Sequence, residues 1–425
     1  MGYQRSISFG FAFMVAACAP WDAPLPEAGS HYVATETTRT PAIRSPLDPV
    51  APMRLGDAPV DAGQAEREAM WWVNTYRTRA GLGPVHQLSD LNEAARAHAR
   101  YVLLNPDLYD DLGMSVHEEA PERMGFFAER FWERMKAAGY VGLPFREVIA
   151  YQAKPAAAVA HWMETVYHRL PLLHPAAQHL GYAEAQLGKS RINVLDVGAG
   201  DGDAPEIPDG IVWPPDGATN VALSWDGLES PKPPAPPNGY PSGPVITMTF
   251  GRDTAFEVLE HQFLELDVES AVDTEVPLPH TLLTPSNDVN LEGESSVALY
   301  SDNPLAPATT YEVRLRGIAD GVEFFRAWSF TTRASDSCSL VAQDCGVGRA
   351  CYGTSETHGI CAWAGARVEG DACDYQNDCD SGMTCVGSVC RRYCTLELSA
   401  LECQASCEPG YSTIDKAGGV GVCRL

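Results

Sequence analysis

The 425-residue sequence is first bounded by what it lacks. Basic residues are scarce: 30 Lys and Arg face 56 Asp and Glu, a formal charge of −26. That charge repels phosphate backbones and anionic headgroups, so nucleic acid is not an expected partner. No apolar run approaches the ~20 residues that a membrane-spanning helix needs. Between Cys18 and Cys338 there is no cysteine at all. None of the 13 cysteines falls in a Cys-x-x-Cys pair, which argues against a zinc ribbon. No serine, cysteine or threonine stands in a motif that commits it to nucleophilic catalysis, so no catalytic residue is assigned.

What is present is globular: 45% apolar and 20% charged residues, in a chain long enough for two or more domains. Twelve cysteines crowd between Cys338 and Cys423. That density predicts disulfides and an oxidising compartment, with a connectivity that spacing leaves open. Near the start, Arg5 precedes a short apolar stretch, Ile7 to Ala17, with the length of a signal-peptide core. It ends in Val15-Ala16-Ala17-Cys18, which resembles a bacterial lipoprotein signal. The resemblance implies a signal peptide over 1–18 and lipidation of Cys18. The partner would be the membrane, through an N-terminal lipid anchor, with the protein exported to the cell envelope, at the outer membrane or cell surface. Each buried acyl CH₂ contributes ~0.8 kcal/mol, so several chains on one cysteine hold firmly. Ordinary secretion with cleavage nearby is the alternative.

Residues 19–61, rich in Pro, Ala and Thr without periodicity, read as a disordered tether. Four helical patterns follow. Ala69, Trp72, Val73 and Tyr76 keep helical spacing and stop before Gly81 and Pro84; a second pattern from Ser89 carries Leu91, Ala94, Ala95, His98 and Val102. A third is expected after Pro121, burying Met124, Phe127, Phe131, Met135 and Ala138, and a fourth after Pro155, with Val159, Trp162, Met163, Val166 and Leu170 inward. With β-like runs at 147–151, 180–186 and 192–197, this predicts an α+β domain over 62–202. A linker, 203–212, leads to Pro-punctuated β-runs over 213–333, read as an all-β sandwich. The stretch from Leu305 to Thr332 is similar to the ending of bacterial immunoglobulin-like domains. Residues 335–425 form a small disulfide-rich module, and no other close internal repeat is apparent.

On the fourth helix, His161, Glu164, Thr165 and His168 sit three, four and seven residues apart and are expected on one face. Two imidazoles and a carboxylate suit zinc, whereas a solvated polar face is the plainer reading. Asn74-Thr75-Tyr76-Arg77 with Gly81-Leu82, then Leu91, Ala94 and His98-Ala99, resemble the opening helices of bacterial CAP domains (cysteine-rich secretory, antigen 5 and pathogenesis-related proteins). Trp162, Thr165, His168 and Arg169, followed by Leu173, Pro175 and Gly181, match that family's Trp-x-x-Ser-x-x-His-Arg signature and the turn after it. The resemblance covers residues 62–200 and implies a CAP-like α-β-α sandwich.

Many members line a cleft with two histidines and two acids, and some bind zinc or another divalent cation there. Carried over, His117 is the first histidine, Glu147 the acid of the Glu-Asn-Ile motif and His168 the second histidine. Thr165 occupies the place of the second acid, with Glu164 one residue away, and Val148 replaces the motif's Asn. The resemblance therefore implies extracellular binding or adhesion to a lipid, glycan or protein, with Zn²⁺ or another divalent cation in the cleft. The alternative is a metal-dependent, peptidase-like extracellular hydrolase using the same residues. His98 is expected as a satisfied core histidine, and Glu118 and Glu119 as solvated loop carboxylates. Val194-Leu195-Asp196-Val197-Gly198-Ala199-Gly200-Asp201-Gly202 reads like the first motif of S-adenosylmethionine methyltransferases. The Pro-rich stretch after it lacks the helix that motif requires, so no cofactor is assigned to it. Asp201, Asp203 and Glu206 fit no named calcium loop.

Overall fold

A computed structural model describes residues 56–111, 113–200, 210–267, 274–335, 337–353, 359–395, 403, 406–408 and 420–424. Cys18, residues 19–55 of the expected tether and the acidic residues Asp201, Asp203 and Glu206 lie outside the described residues. The end of the expected tether, residues 56–61, is instead part of the domain: the Asp57 carbonyl accepts from Gln87 N–H at 3.0 Å and Ala58 packs against the core.

The first domain is built as the apolar periods dictate. Helix α1 (Gln64–Arg79) ends at Ala80, with Gly81 at φ +79°, and buries Ala69, Met70 and Val73. After a short strand β1 (His86–Gln87), α2 (Ser89–Leu104) buries Leu91, Ala94, Ala95, His98 and Val102 as expected. A single turn, α3 (Pro106–Asp110), precedes the first departure from expectation. The third helix, α4, spans only Phe131–Ala137, and Met124 is 71% exposed. Residues 113–130 instead form turns held on α2: Tyr101 Oη accepts from Ala120 N–H at 2.7 Å, and Asn105 Nδ2 donates to the Met124 carbonyl at 2.9 Å. Strand β2 (Leu143–Ala150), helices α5 (Pro155–Glu164) and α6 (Arg169–Leu173), and strands β3 (Ala177–Leu187) and β4 (Ser190–Ala199) complete the domain.

The four strands lie in the order β1-β3-β4-β2. Strand alternation sorts their side chains to two faces. Val148, Tyr182, Leu195 and Val197 pack with Val73 of α1 and Val159 and Trp162 of α5. Ile149, Ala183, Ile192 and Val194 pack with Ala95, Ala99 and Val102 of α2. The sheet thus sits between helical layers, an α-β-α sandwich. Gly181 permits one close approach, since a Cβ there would lie 2.1 Å from the Leu91 carbonyl carbon of α2.

The next region holds two sheets around one apolar core that includes Ile246, Phe263, Val297, Val313, Trp328 and Phe330. Its strands are β5 (Ile211–Trp213), β6 (Ala218–Val221), β7 (Ile246–Thr249), β8 (Phe256–Asp267), β9 (Thr274–Pro277), β10 (His280–Leu283), β11 (Ser296–Ser301), β12 (Thr310–Ala319) and β13 (Val322–Thr332). One sheet runs β10-β11-β7-β5, the other β6-β13-β12-β8-β9. The C-terminal cysteines form six disulfides: 338–351, 345–361, 373–385, 379–390, 394–407 and 403–423. Taken four at a time, first joins third and second joins fourth, three times over. The module is therefore an internal repeat of interleaved pairs, which unequal loop lengths conceal in the sequence.

Candidate functional site

The motif residues that carry the CAP resemblance act as scaffold. Asn74 Nδ2 donates to the Val85 carbonyl at 3.0 Å, and its Oδ1 accepts from Val85 N–H at 2.8 Å, which fixes the turn after α1. Arg77, 2% exposed, donates to the carbonyls of Gly83, Leu172, His174 and Ala177 at 2.8–3.1 Å. The Trp162 indole donates to Ile149 O at 3.1 Å, tying α5 to β2.

His117 and Glu147 meet as expected, with His117 Nδ1 2.9 Å from Glu147 Oε1. The His117 side chain is 35% exposed and the Glu147 side chain 1%. Glu147 belongs to a polar core between β2, β4, α2 and α4. The fully buried Arg134 donates to Glu147 Oε2 at 2.8 Å and to the His117 carbonyl at 3.1 Å. His98 behaves as the expected satisfied core histidine: Nδ1 lies 2.9 Å from Glu119 Oε1 and Nε2 2.8 Å from the Val116 carbonyl. Glu119 departs from expectation. It is 0% exposed and also accepts from Phe127 N–H at 2.8 Å, so it is a structural carboxylate pinning the loop. Glu118 is partly exposed, paired with Arg130.

Directly opposite Glu147 in the β2–β4 register stands Asp196. Both its oxygens are buried without a hydrogen-bond donor. Burial, reinforced by the charge of Glu147, raises the Asp196 carboxyl well above the usual range. Burial would raise Glu147 too, but His98, Arg134 and His117 together outweigh it and hold that carboxyl below the usual range. The two carboxyls therefore shift in opposite directions, Glu147 toward the anion and Asp196 toward the protonated form. Asp196 thus serves a side-chain cluster inside a four-stranded sheet.

His168 and Glu164 lie elsewhere. Helix α5 ends at Glu164, because Thr165 turns to extended backbone and its Oγ1 bonds the Trp162 carbonyl at 2.8 Å. The expected shared face is broken before His168. Its ring meets Glu229, from the segment between β6 and β7 of the β-sandwich, with Nδ1 2.7 Å from Oε1. The Glu229 side chain is fully buried and also accepts the backbone N–H groups of Val166, Tyr167 and His168 at 2.7–3.1 Å. Glu164 binds Arg349 of the cysteine-rich module through Nε at 3.2 Å and Nη2 at 2.5 Å. Arg349 in turn stacks 4.2 Å from the Trp363 ring, against which His161 packs edge-on at 5.6 Å.

Alternation explains the divergence: Glu147 points with Ile149 to the α2 face, while α5 covers the other. Among the described residues, no three of His117, Glu147, His168 and Glu164 bring ligand atoms within 4.8 Å of one another; only cysteines do so, and these are in disulfides. The four residues as placed do not fit one shared ion. Sequence reasoning missed Arg134, Glu119, Asp196 and Glu229. Only Asp196 left a signal, an acid in an otherwise apolar strand.

Residues 72–194 match the family model described as CAP, the cysteine-rich secretory protein family. No curated protein matches the chain. Solved structures with similar folds include an extracellular SCP-domain protein from Bacillus anthracis (17% identity, TM-score 0.25), of which this chain covers 40% with 31% of its own length. Venom allergen-like protein 4 of Schistosoma mansoni is similar at 12% identity and TM-score 0.24, over 33% of this chain and 92% of that one. An outer surface protein of Borrelia burgdorferi is similar at 16% identity and TM-score 0.25, over 32% and 94%. At these TM-scores the likenesses add no weight to the family match. The segment 72–194, an α-β-α sandwich carrying this motif set, is a CAP domain of the cysteine-rich secretory protein family.

Proposed function

We propose that the protein acts outside the cytoplasm as a binding or adhesion protein of the cell envelope, its CAP domain serving as the hub that positions the modules around an extracellular ligand surface. One observation carries this reading: His168 and Glu164, which the resemblance assigns to a metal-bearing cleft, are engaged by Glu229 and Arg349 of the two following modules. Side chains so used hold an assembly together. Six disulfides suit an oxidising compartment, and Val15 to Cys18 suits a lipid anchor.

Elemental analysis of protein produced in the periplasm tests the reading, with His117→Ala and His168→Ala beside the wild type. The expected outcome is no stoichiometric zinc dependent on these residues; zinc present in the wild type and lost in both variants overturns it. Cys18→Ser should move the protein from the membrane fraction to the soluble one, and unchanged fractionation refutes the anchor. A hydrolase remains the second reading because the His117 ring reaches solvent while Glu147 orients it, as a general base requires. Peptide hydrolysis abolished by His117→Ala would establish it.

A further inference from the structure

Two histidines meet outside the CAP domain, across the β-sandwich. His261 lies on β8 and His280 on β10, strands of different sheets. His261 Nδ1 is 2.8 Å from His280 Nε2, and His280 Nδ1 is 2.8 Å from the Leu278 carbonyl oxygen. A carbonyl only accepts, so the proton of His280 sits on Nδ1 and the lone pair of Nε2 faces His261. Metal-binding histidines are commonly oriented by such an outer hydrogen bond. The strands are pinned: Leu278 N–H donates to the Phe263 carbonyl at 2.8 Å, His280 is in register with Ser301, and His261 with Leu315. His261 is exposed and His280 half-buried, so water reaches the pair.

The 2.8 Å between the two nitrogens is a hydrogen bond, His261 Nδ1 donating to the Nε2 lone pair of His280. Ring rotation turns both nitrogens toward one ion once His261 carries its proton on Nε2, and imidazole nitrogens hold Cu(II) most tightly of the divalent first-row cations. We propose that His261 and His280 form a two-imidazole site for a divalent transition-metal cation, Cu(II) foremost, completed by water. Loading needs no net proton release from His261, only transfer of its proton from Nδ1 to the outer Nε2.

The test is a Cu(II) titration of the full chain, read by bound copper after dialysis and by nitrogen hyperfine structure in electron paramagnetic resonance. The wild type should take up one equivalent with nitrogen ligands. His261→Asn and His280→Asn should each weaken it by about tenfold or more, while His86→Asn, at an exposed histidine of the first domain, keeps it. Circular dichroism melting checks that the variants are folded; His261, being exposed, should tolerate substitution. Copper uptake and spectra unchanged in both folded variants overturn the proposal.

Discussion

Asp196→Asn should make the protein progressively more stable than the wild type as pH rises. In the unfolded chain an Asp releases its proton near its ordinary value of 3.8. In the fold, burial and the charge of Glu147 keep the proton on. The group's folded pKa is raised, so its contribution to stability is complete below the unfolded value and is lost as pH climbs toward the folded one. One proton retained by the fold corresponds to about 1.4 kcal/mol per pH unit within that window. Glu147 titrates in the opposite sense, its contribution being lost only as pH falls below its ordinary 4.5, so it is constant above that value. His174, whose pKa burial lowers to about 4, destabilises the fold as pH falls from 6.5. Both copies of the protein share His174, and the difference between them cancels it. The assay is guanidinium unfolding of wild type and Asp196→Asn at pH 5 and pH 6 with disulfides intact. Their stability difference should widen by about 1.4 kcal/mol over that unit. A difference that stays flat refutes the reasoning, because Asp196 would then be ionised in the fold.

Glu229→Ala should loosen the CAP domain from the β-sandwich. It removes the acceptor of three backbone N–H groups and of His168, a loss of about 3–5 kcal/mol for a buried, hydrogen-bonded charge. Limited proteolysis should then cut between the modules under conditions where the wild type resists; equal resistance counts against the lock. Gly181→Ala should abolish soluble expression, because its Cβ would lie 2.1 Å from the Leu91 carbonyl carbon in α2, where only backbone movement relieves the clash. Soluble Gly181→Ala protein with a wild-type melting temperature would contradict the helix–strand contact.

The elements that local chemistry determines were legible in the sequence. Helices α1 and α2 announce themselves by apolar side chains at 3.6-residue spacing, and α1 stops where Gly81 takes a positive φ. Strands β2 to β4 could be read from their apolar runs. The errors fall where a distant partner overrides the local pattern. Met124 and Phe127 keep a helical period, yet their segment folds as turns because Tyr101 of α2 and Asn105, which caps that helix, capture its backbone. The helix through His168 breaks at Thr165 because Glu229, more than 60 residues later, takes the N–H groups that a helix would have used. Charge misleads in the same way. Glu119 reads as a solvated loop acid, since nothing near it in sequence reveals that His98 and the Phe127 amide await it inside. A buried charge survives only beside its partners, and those partners are set by topology. The scaffold motif of this domain is therefore readable residue by residue, whereas its polar core emerges only when β2 and β4 lie side by side and Glu147 faces Asp196.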